Sequence, residues 1–330
     1  MITIGKAPYR ISLLGGSSDL EWFVEKEGYG VSIGFSIDKY SYSVVNVLPN
    51  GTKKGILKYS SIERYSHIDE IVHPLIREAL DYFNFTTPLE ISTYGFAAGG
   101  SGIGGSSSFL LSLLVALIKI KEIDKDYYDL AQIASDIEIN RLKSPIGRQD
   151  QYLCALGGLS CLKFQPNGKV SNIKLINEKN KVIRKAIENM YLIPSHMKRN
   201  ADSVLKKFKN NSTVQSDIKS IREIANKFII SEETREYCLW ENFHSAVSDS
   251  WEIKRNLAHV MNDSLNEKYE FLKRNIPNNW IRLIGAGSGG YFLVSIKEDV
   301  KNPKNLISSL GLKEFIKPNI SEQGLSSSEF

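Results

Sequence analysis

Apolar and polar side chains alternate along the first fifty residues, most clearly over residues 40–48, and a Pro-Asn-Gly turn signal follows at 49–51. A period of two is typical of a β-strand that buries one face, and Pro, Asn and Gly commonly bound such strands. Similar short patterns occur at 88–94 and, after a glycine turn, at 157–164. These segments are therefore predicted to be strands.

Other segments repeat their apolar residues at helical spacing. Ile71, Leu75 and Ala79 follow this spacing, and residues 109–121 form an apolar run typical of a buried helix. Helices are predicted at 71–83, 109–121, 127–142, 201–209, 214–229, 234–260 and 264–275, and strands on both sides of residues 285–290. The serine-rich tail after Ser321 is predicted to be either loose or a last edge strand.

The composition shifts to Asn, Lys and Gly over residues 166–181, and a domain boundary is predicted there. Strands and helices are mixed in both halves of the chain. The predicted architecture is therefore α+β in two lobes, residues 1–175 and residues 176–330.

The composition narrows the functional class. The chain has 330 residues, of which 42% are hydrophobic and 24% charged, and a formal net charge of +5, as in an ordinary soluble protein. Its Lys and Arg residues form no cluster interleaved with aromatic residues, so nucleic-acid binding is not expected. The longest apolar stretch, 109–118, is too short to span a membrane. Three cysteines without a CxxC pair, and no signal-peptide pattern, favour a cytoplasmic protein.

A glycine- and serine-rich segment precedes the apolar run. Residues 99–108 read Gly-Gly-Ser-Gly-Ile-Gly-Gly-Ser-Ser-Ser. A backbone of this composition can turn successive N–H groups inward, and the following helix begins with unpaired N–H groups and the positive end of its dipole. The segment is therefore predicted to bind phosphate.

Several known phosphate-binding motifs fit this segment poorly. The dinucleotide pattern G-x-G-x-x-G occurs at 100–105 but again at 285–290, where a strand follows instead of the required helix. Asp124 or Asp126 would fit the ribose-binding position, yet both lie in a charged helix-start sequence. A P-loop needs Gly-Lys-Ser/Thr, and protein kinases need HRD and DFG motifs, all of which are missing. Backbone amides, hydroxyls and Mg²⁺ must then neutralise the phosphate, and the metal needs an acidic residue elsewhere.

Glu138 is the candidate for that acidic residue. On the predicted helix 127–142 it shares the core-facing stripe with Ala134, where a carboxylate must find a cation. The cation is either Mg²⁺ or the side chain of Arg141 or Arg148. Further along, Asp150 could simply cap a short helix that begins at the next residue.

Three segments together resemble the motifs of the GHMP kinases, which include galactokinase, homoserine kinase, mevalonate kinase and phosphomevalonate kinase. They are Ala7-Pro-Tyr-Arg-Ile-Ser-Leu-Leu-Gly-Gly-Ser-Ser-Asp19, Gly100-Ser-Gly-Ile-Gly-Gly-Ser-Ser-Ser108 and Arg282-Leu-Ile-Gly-Ala-Gly-Ser-Gly-Gly290. They occur in the family order and span nearly the whole chain. The first motif, with Ser36-Ile-Asp-Lys-Tyr40 and Arg199-Asn-Ala201, is most similar to the heptose 7-phosphate kinase and fucokinase branch.

The resemblance implies a two-lobed fold with a ribosomal protein S5 domain 2-like N-terminal lobe and a ferredoxin-like C-terminal lobe. It implies an ATP- and Mg²⁺-dependent kinase that phosphorylates the anomeric hydroxyl of a heptose 7-phosphate for surface polysaccharide precursors. A kinase of free fucose or another sugar is the alternative, and a non-catalytic nucleotide- or sugar-binding protein is a second. Neither nucleic acid nor membrane is an expected partner, and a homodimer is possible.

The resemblance also assigns roles to residues. Asp150 corresponds to the catalytic base, Arg10 lies near the reacting oxygen, and Glu138 with Ser106 holds the metal. Gly105 replaces a serine of the usual pattern, so Ser107 is the alternative metal ligand. The implied ATP-binding residues are Gly100, Ser101, Gly102, Ile103, Gly104, Gly105, Ser106, Ser107 and Ser108. The implied substrate-binding residues are Gly16, Ser17, Ser18, Asp19, Arg199, Gly287, Ser288 and Gly289. Candidate cations for a substrate phosphate are Arg141, Lys143, Arg148, Lys198 and Arg199.

Overall fold

A large sheet forms the centre of the N-terminal half. In the computed structural model, residues 1–97, 100–197, 204–205, 208–209, 211–257 and 260–330 are described. The strands of the large sheet are β1 (Ile2–Leu14), β2 (Gly30–Val47), β3 (Gly55–Lys58), β4 (Ile62–Tyr65), β5 (Leu89–Gly95), β6 (Leu159–Phe164), β7 (Val170–Asn172) and β11 (Ser326–Glu329). Their order is β11-β1-β2-β5-β3-β4, and β6, paired with β7, joins the other half of β2. The sheet forks because the long strand β2 pairs with β6 up to Phe35 and with β5 from Ser41 onward.

A smaller antiparallel sheet lies in the C-terminal half. It contains β8 (Met190–Pro194), β10 (Tyr291–Ile296) and β9 (Asn278–Leu283), in that order. On the outer side of β8, Ile316 forms a single antiparallel β-bridge with Leu192, in the place of a fourth strand. The order of elements is that of a ferredoxin-like β-α-β-β-α-β unit in which three helices, at 212–230, 236–255 and 263–275, take the place of the first helix and the last strand is reduced to one bridge.

Ten helices are described beside these sheets in the part of the chain given above. They are α1 (Glu21–Glu27), α2 (Pro74–Tyr82), α3 (Gly105–Ile120), α4 (Tyr127–Ser135), α5 (Gln149–Leu156), α6 (Asn177–Ile187), α7 (Ser212–Ile230), α8 (Glu236–Arg255), α9 (Asp263–Asn275) and α10 (Pro303–Ser309). A 3₁₀ turn lies at Ile68–Glu70, and α4 continues into a π-helical turn at Asp136–Arg141. No helix among the described residues has the length and apolar composition needed to cross a membrane.

Helix α3 is the centre of one core. Its eleven buried residues pack on β1 and β2, because the segment is apolar all round and has no solvent-facing stripe. The helix approaches β1 so closely that a Cβ on Gly5 would lie 2.0 Å from the Ser112 carbonyl oxygen. A second core fills the opposite face of β1, where Ile11 and Leu13 meet apolar residues of α6, α7 and α8. The large sheet is therefore covered on both faces.

The predicted α+β, two-lobed fold class is confirmed by this architecture and by the comparisons reported below. The division at 175/176 stays a prediction. The last strand β11 pairs with β1, so residues 326–329 belong to the large sheet. The tail after Ser321 thus includes the edge strand that the sequence allowed.

Several predicted elements have different bounds in the structure. Helix α3 begins four residues earlier than predicted, because Gly105 and the three serines after it form its first turn. The predicted helix 127–142 is divided into α4 and the π turn. The helix near 201–209 lies largely outside the described residues. The prediction missed α6 because its exposed face is charged and only residues such as Val182 and Ile183 are buried.

Candidate active site

The glycine loop, defined as residues 100–105, turns sharply into the first turn of α3. Gly100, Gly102 and Gly104 have φ values of +82°, +86° and +78°. This left-handed region is strained for residues with a Cβ, so glycine is favoured at all three positions. Gly104 is the N-cap of α3 and supplies no side chain to the helix N–H groups. The loop therefore presents backbone donors at the positive end of a buried helix, as an anion site requires.

Residues from both ends of the chain hold the glycine loop in place. The Arg10 backbone N–H donates to the Ile103 carbonyl at 3.0 Å, and its Nη1 donates to the Gly102 carbonyl at 2.6 Å. On the other side, a Cβ on Gly290 would lie 2.4 Å from the Ser101 carbonyl oxygen. The structure thus brings the three glycine-containing motifs of the sequence together at one place.

Glu138 lies beneath the loop with both carboxylate oxygens hydrogen-bonded. Ser106 Oγ donates to Oε1 at 2.7 Å, while Ser107 Oγ and Gln151 Nε2 donate to Oε2 at 2.7 and 2.6 Å. The residue is only 2% exposed. Burial raises the pKa of this carboxyl above its usual value, and the three hydrogen bonds oppose that shift. The prediction that Glu138 faces the interior is confirmed.

The alternative of an ion pair for Glu138 is wrong. Arg141 points outward and pairs with Asp81 at 2.8 Å, and Arg148 pairs with Glu21 at 3.0 Å. The π turn carries Arg141 to the surface while Glu138 stays inside. Likewise, the ribose-binding alternative for Asp126 does not apply, because this side chain caps α4 by accepting from the Asp129 N–H.

Ser106 and Ser107 differ in exposure although both bond Glu138. Ser107 is fully buried, whereas Ser106 is exposed and lines an open cleft beside the loop. Ser106 and the carboxylate of Glu138 are oxygen donors of the kind that Mg²⁺ prefers alongside phosphate oxygens and water. In addition, Gln151 Oε1 is buried with no hydrogen-bond partner among the described residues. The donor set therefore fits a magnesium ion, with Ser106 as the accessible hydroxyl.

Asp150 forms a two-point ion pair with Arg10. Arg10 Nε and Nη2 donate to the two carboxylate oxygens at 2.7 and 2.5 Å. The Arg10 side chain is 4% exposed and that of Asp150 25% exposed. Although burial alone lowers the pKa of Arg10, the adjacent carboxylate raises it above its usual value. The interpretation of Asp150 as a helix cap is wrong, because α5 begins at Gln149 and its N-cap is Arg148, with no side-chain cap hydrogen bond.

Asp150 lines a cavity whose other residues come from both halves of the chain. We call this the Asp150 cavity. It is lined by Arg10, Ser12, Gly16, Ser17, Asp19, Leu20, Ile146, Gly147, Gln149, Asp150, Leu205, Lys254, Arg282, Gly285 and Ala286. Because Arg10 also bonds Gly102, the cavity adjoins the glycine loop.

The first-motif residues occupy different places around this cavity. Gly16, Ser17 and Asp19 line it, whereas the Ser18 hydroxyl is buried and bonds the backbone of Gly15 and Val31. Ser18 is thereby placed behind the cavity wall.

Asp19 is the second carboxylate of the cavity. It is 2% exposed and accepts from the backbone and side-chain N–H groups of Gln149, each at 3.0 Å. Burial raises the pKa of Asp19 to about 6, and the Gln149 backbone N–H opposes that shift. The carboxylate fits so closely that a Cβ on Gly147 would lie 2.0 Å from its Oδ2.

We expect Asp19→Asn to stabilise the protein above pH 6. A folded-state pKa of about 6, above the usual 3.8, means that the folded state loses stability as the pH rises from about 4 to 6. Asparagine removes this penalty, which is at most about 3 kcal/mol. Gln149 can rotate its amide to pair with it, because Gln149 Oε1 has no partner among the described residues. Thermal unfolding between pH 4 and 8 measures the effect, with Asp81→Asn as the surface control. The expectation would be contradicted if the Tm of the two variants changed equally with pH.

The third motif lies partly on the cavity and partly behind it. Gly285 and Ala286 line the cavity, whereas a Cβ on Gly287 would lie 2.7 Å from Val260 Cα. The Ser288 N–H donates to the Val260 carbonyl at 2.9 Å. The structure therefore does not place Gly287, Ser288 or Gly289 among the described lining residues. Arg199 and Lys198 lie outside the described residues.

Four polar residues of the cavity were given no role from the sequence: Ser12, Gln149, Lys254 and Arg282. Ser12 and Arg282 stand within the first and third motifs, so the motifs were the available signal. Lys254 carries no such signal, because a lysine near the end of an amphipathic helix is usually a surface charge. Here it is 6% exposed, and its Nζ donates to the Gly285 carbonyl at 2.9 Å.

An open cleft beside the glycine loop has an aromatic wall, which the sequence did not reveal either. The His73 ring lies 4.7 Å from that of Tyr59 and 5.2 Å from that of Phe109, between ring centroids. Gly105 and Ser106 form the loop side of the same cleft. The cleft therefore combines aromatic faces with the N-terminus of α3.

Comparisons with known proteins place the chain beside sugar kinases. Residues 70–158 match the family model described as GHMP kinases N terminal domain. The chain is 22% identical over 315 residues to the D-glycero-alpha-D-manno-heptose 7-phosphate kinase of Campylobacter jejuni subsp. jejuni serotype O:2, with 92% of each chain covered. It is 23% identical over 324 residues to the bifunctional fucokinase/GDP-fucose pyrophosphorylase of Arabidopsis thaliana, covering 89% of this chain and 30% of that protein.

A solved structure shows the same fold. The D-glycero-D-manno-heptose 1-phosphate kinase from Bacteriodes thetaiotaomicron superposes with a TM-score of 0.77 at 19% identity, covering 99% of both chains. With this fold and the matched domain, the protein is an ATP-dependent small-molecule kinase. Residues 70–158 match the N-terminal domain of the GHMP kinases, and the whole chain has the fold of the heptose 1-phosphate kinase structure.

Proposed function

We propose that this kinase transfers the γ-phosphoryl group of ATP to the anomeric hydroxyl of a heptose 7-phosphate. The product, a heptose 1,7-bisphosphate, would supply cytoplasmic synthesis of surface polysaccharide precursors. The observation that carries the proposal is the connection of two sites by one side chain. Arg10 bonds Gly102 of the glycine loop and, through its other nitrogens, Asp150 of the cavity. A phosphate on the loop and a sugar in the cavity would therefore meet beside Arg10.

The glycine loop and the aromatic cleft support the assignment of the ATP site. The amides at the start of α3 are suited to the phosphates. Tyr59, His73 and Phe109 offer aromatic faces to the purine on the far side of Ser106. We therefore assign the triphosphate to the loop and the nucleoside to the cleft.

Glu138 and Ser106 are the residues that would hold Mg²⁺. When bound, the ion neutralises charge on the phosphate oxygens. The contribution of the chain is a buried carboxylate whose two oxygens are already oriented by Ser106, Ser107 and Gln151. Ser107 acts as a positioning residue, because its hydroxyl is buried and points to Glu138.

Asp150 is assigned the role of general base. As the sugar hydroxyl oxygen forms its bond to the γ-phosphorus, the bond between that phosphorus and the ADP oxygen breaks, and the hydroxyl proton passes to Asp150. Arg10 holds the carboxylate in one orientation through two hydrogen bonds and keeps a positive charge beside the reacting groups. Asp19 is assigned a contact to a sugar hydroxyl, since its carboxylate lines the same cavity.

An assay of ADP release with a panel of sugars and sugar phosphates tests the proposal. The highest kcat/KM is expected for D-glycero-D-manno-heptose 7-phosphate, with the new phosphate at carbon 1 by NMR. Preference for free fucose or another neutral sugar would favour the alternative suggested by the fucokinase relative. Binding of ATP without turnover of any sugar would instead indicate a non-catalytic binding protein.

A further inference from the structure

The Asp150 cavity contains more cationic than anionic side chains. Arg10, Lys254 and Arg282 are its cations among the described lining residues, and Asp19 and Asp150 are its carboxylates. Arg10 is neutralised by Asp150 through two hydrogen bonds. Lys254 interacts electrostatically with Asp19 and lowers the pKa of that carboxyl, so the three cations and two carboxylates leave one positive charge in excess, with Arg282 as the cation that has no described carboxylate partner.

Arg282 is a buried guanidinium without a carboxylate partner among the described residues. It is 4% exposed, and its Nη1 donates to the backbone carbonyl of Leu13. Its Nε is buried with no hydrogen-bond partner in the described part of the chain. Burial lowers the pKa of Arg282 to about 10, which shows that its surroundings disfavour the positive charge. A buried charge of this kind is destabilising unless an anion pairs with it.

Lys254 brings a second charge to the same wall. It lies at the end of α8, and its Nζ donates to the carbonyl of Gly285. Gly285 follows Arg282 by three residues in the sequence. The ammonium is a compact point charge, whereas the guanidinium offers a planar pair of donors. The two together match a phosphate group better than a neutral hydroxyl.

We propose that Arg282 and Lys254 bind a phosphate monoester that the acceptor already carries, and so select phosphorylated sugars over neutral ones. The proposal rests on the kinase function proposed above and identifies residues that recognise the phosphate of the acceptor. Of the candidate cations suggested by the sequence, Arg141 and Arg148 do not supply this role, because they form ion pairs with carboxylates outside the cavity.

The test compares Arg282→Met and Lys254→Met with the unmodified enzyme. Each is expected to raise the KM for D-glycero-D-manno-heptose 7-phosphate by about 10- to 100-fold, the loss typical of a hydrogen bond to a charged group. The KM for ATP should stay nearly unchanged, and the ratio of kcat/KM for the phosphorylated heptose to that for the unphosphorylated heptose should fall. Arg282→Lys, which keeps the charge but not the planar donors, should show a smaller loss.

Two buried cations elsewhere in the chain provide matched controls. Arg222 is 4% exposed and pairs with Glu223, and Lys179 is 1% exposed and donates to the carbonyls of Ile229 and Ser231. Arg222→Met and Lys179→Met should lower the Tm, because they leave buried acceptors unpaired, but should not change the preference for the phosphorylated sugar.

A binding measurement separates this proposal from the proposed reaction. With Mg²⁺ and the β,γ-imido analogue of ATP occupying the loop, inorganic phosphate should raise the Tm of the unmodified protein and not that of Arg282→Met or Lys254→Met. Loss of this stabilisation without turnover of any sugar phosphate would retain the phosphate subsite and reject the reaction. Turnover with an unchanged KM in Arg282→Met, Arg282→Lys and Lys254→Met would reject the subsite and retain the reaction.

Discussion

Asp150→Asn is expected to lower kcat by about 10²- to 10⁴-fold, the range typical of losing a general base. The asparagine cannot take the proton from the sugar hydroxyl, while the glycine loop and the magnesium ligands are untouched. The KM for ATP should therefore stay nearly unchanged. Steady-state kinetics with saturating heptose 7-phosphate, together with calorimetric titration of an ATP analogue, measure both quantities.

The same substitution also removes the counter-charge of Arg10. Two hydrogen bonds of 2.7 and 2.5 Å connect these side chains, and Arg10 is 4% exposed. An asparagine can accept only through its single carbonyl oxygen, so the Tm should fall, although water reaches the 25% exposed side chain of residue 150 and limits the loss. A folded variant with a lower Tm and a greatly reduced kcat is the expected combination.

Asp81→Asn is the matched control for this prediction. It also breaks an Asp–Arg ion pair, that between Asp81 and Arg141 at 2.8 Å, but on the surface and outside the Asp150 cavity. Its activity should equal that of the unmodified enzyme. If Asp150→Asn kept activity within tenfold of that control, the role of general base would be excluded.

Local patterns in the sequence predicted the parts of the fold that depend on neighbouring residues. The apolar run before residue 121 became α3, and the position of Glu138 on a helix face correctly indicated its burial. Both follow from helical periodicity alone. By contrast, the sequence predicts no helix at α6, whose first residues fall in the predicted boundary segment 166–181, because its polar composition conceals a buried stripe that includes Val182 and Ala186.

The partners of the site residues could not be predicted in the same way. The helical pattern allows an arginine as one of two possible cations for Glu138, but the hydrogen bonds of its carboxylate come from Ser106 and Ser107, more than thirty residues earlier, and from Gln151. Arg10 and Asp150 meet across 140 positions of sequence. Such contacts arise from the pairing of β1 with the loop and α5, and periodicity carries no information on them.

Glu138→Gln is expected to raise the Mg²⁺ concentration needed for half-maximal activity by at least about tenfold, as loss of a metal-orienting group commonly does. A neutral amide replaces a carboxylate, and the charge available to the ion is lost. The fold should be preserved. Gln151 can rotate its amide to accept from the new side chain, because its Oε1 has no partner in the described part of the chain.

Burial of the Glu138 carboxylate also predicts how the Mg²⁺ requirement changes with pH and how the substitution changes the Tm. Since burial raises the pKa of Glu138, protons compete with Mg²⁺, and the Mg²⁺ requirement of the unmodified enzyme should increase as the pH falls. Glu138→Gln should lose this dependence. Its metal-free Tm should be equal or higher, because an ionised carboxylate is no longer held at 2% exposure.

The two serines that bond Glu138 separate metal binding from positioning. Ser106 is exposed to the cleft, so Ser106→Ala should raise the Mg²⁺ requirement nearly as much as Glu138→Gln. Ser107 is fully buried, so Ser107→Ala should mainly lower the Tm. Mg²⁺ titrations of kcat and thermal unfolding of the three variants provide the comparison. An unchanged titration in both Glu138→Gln and Ser106→Ala would show that Glu138 serves the fold, where its carboxylate ties the start of α3 to α5, and that the metal is held by other groups.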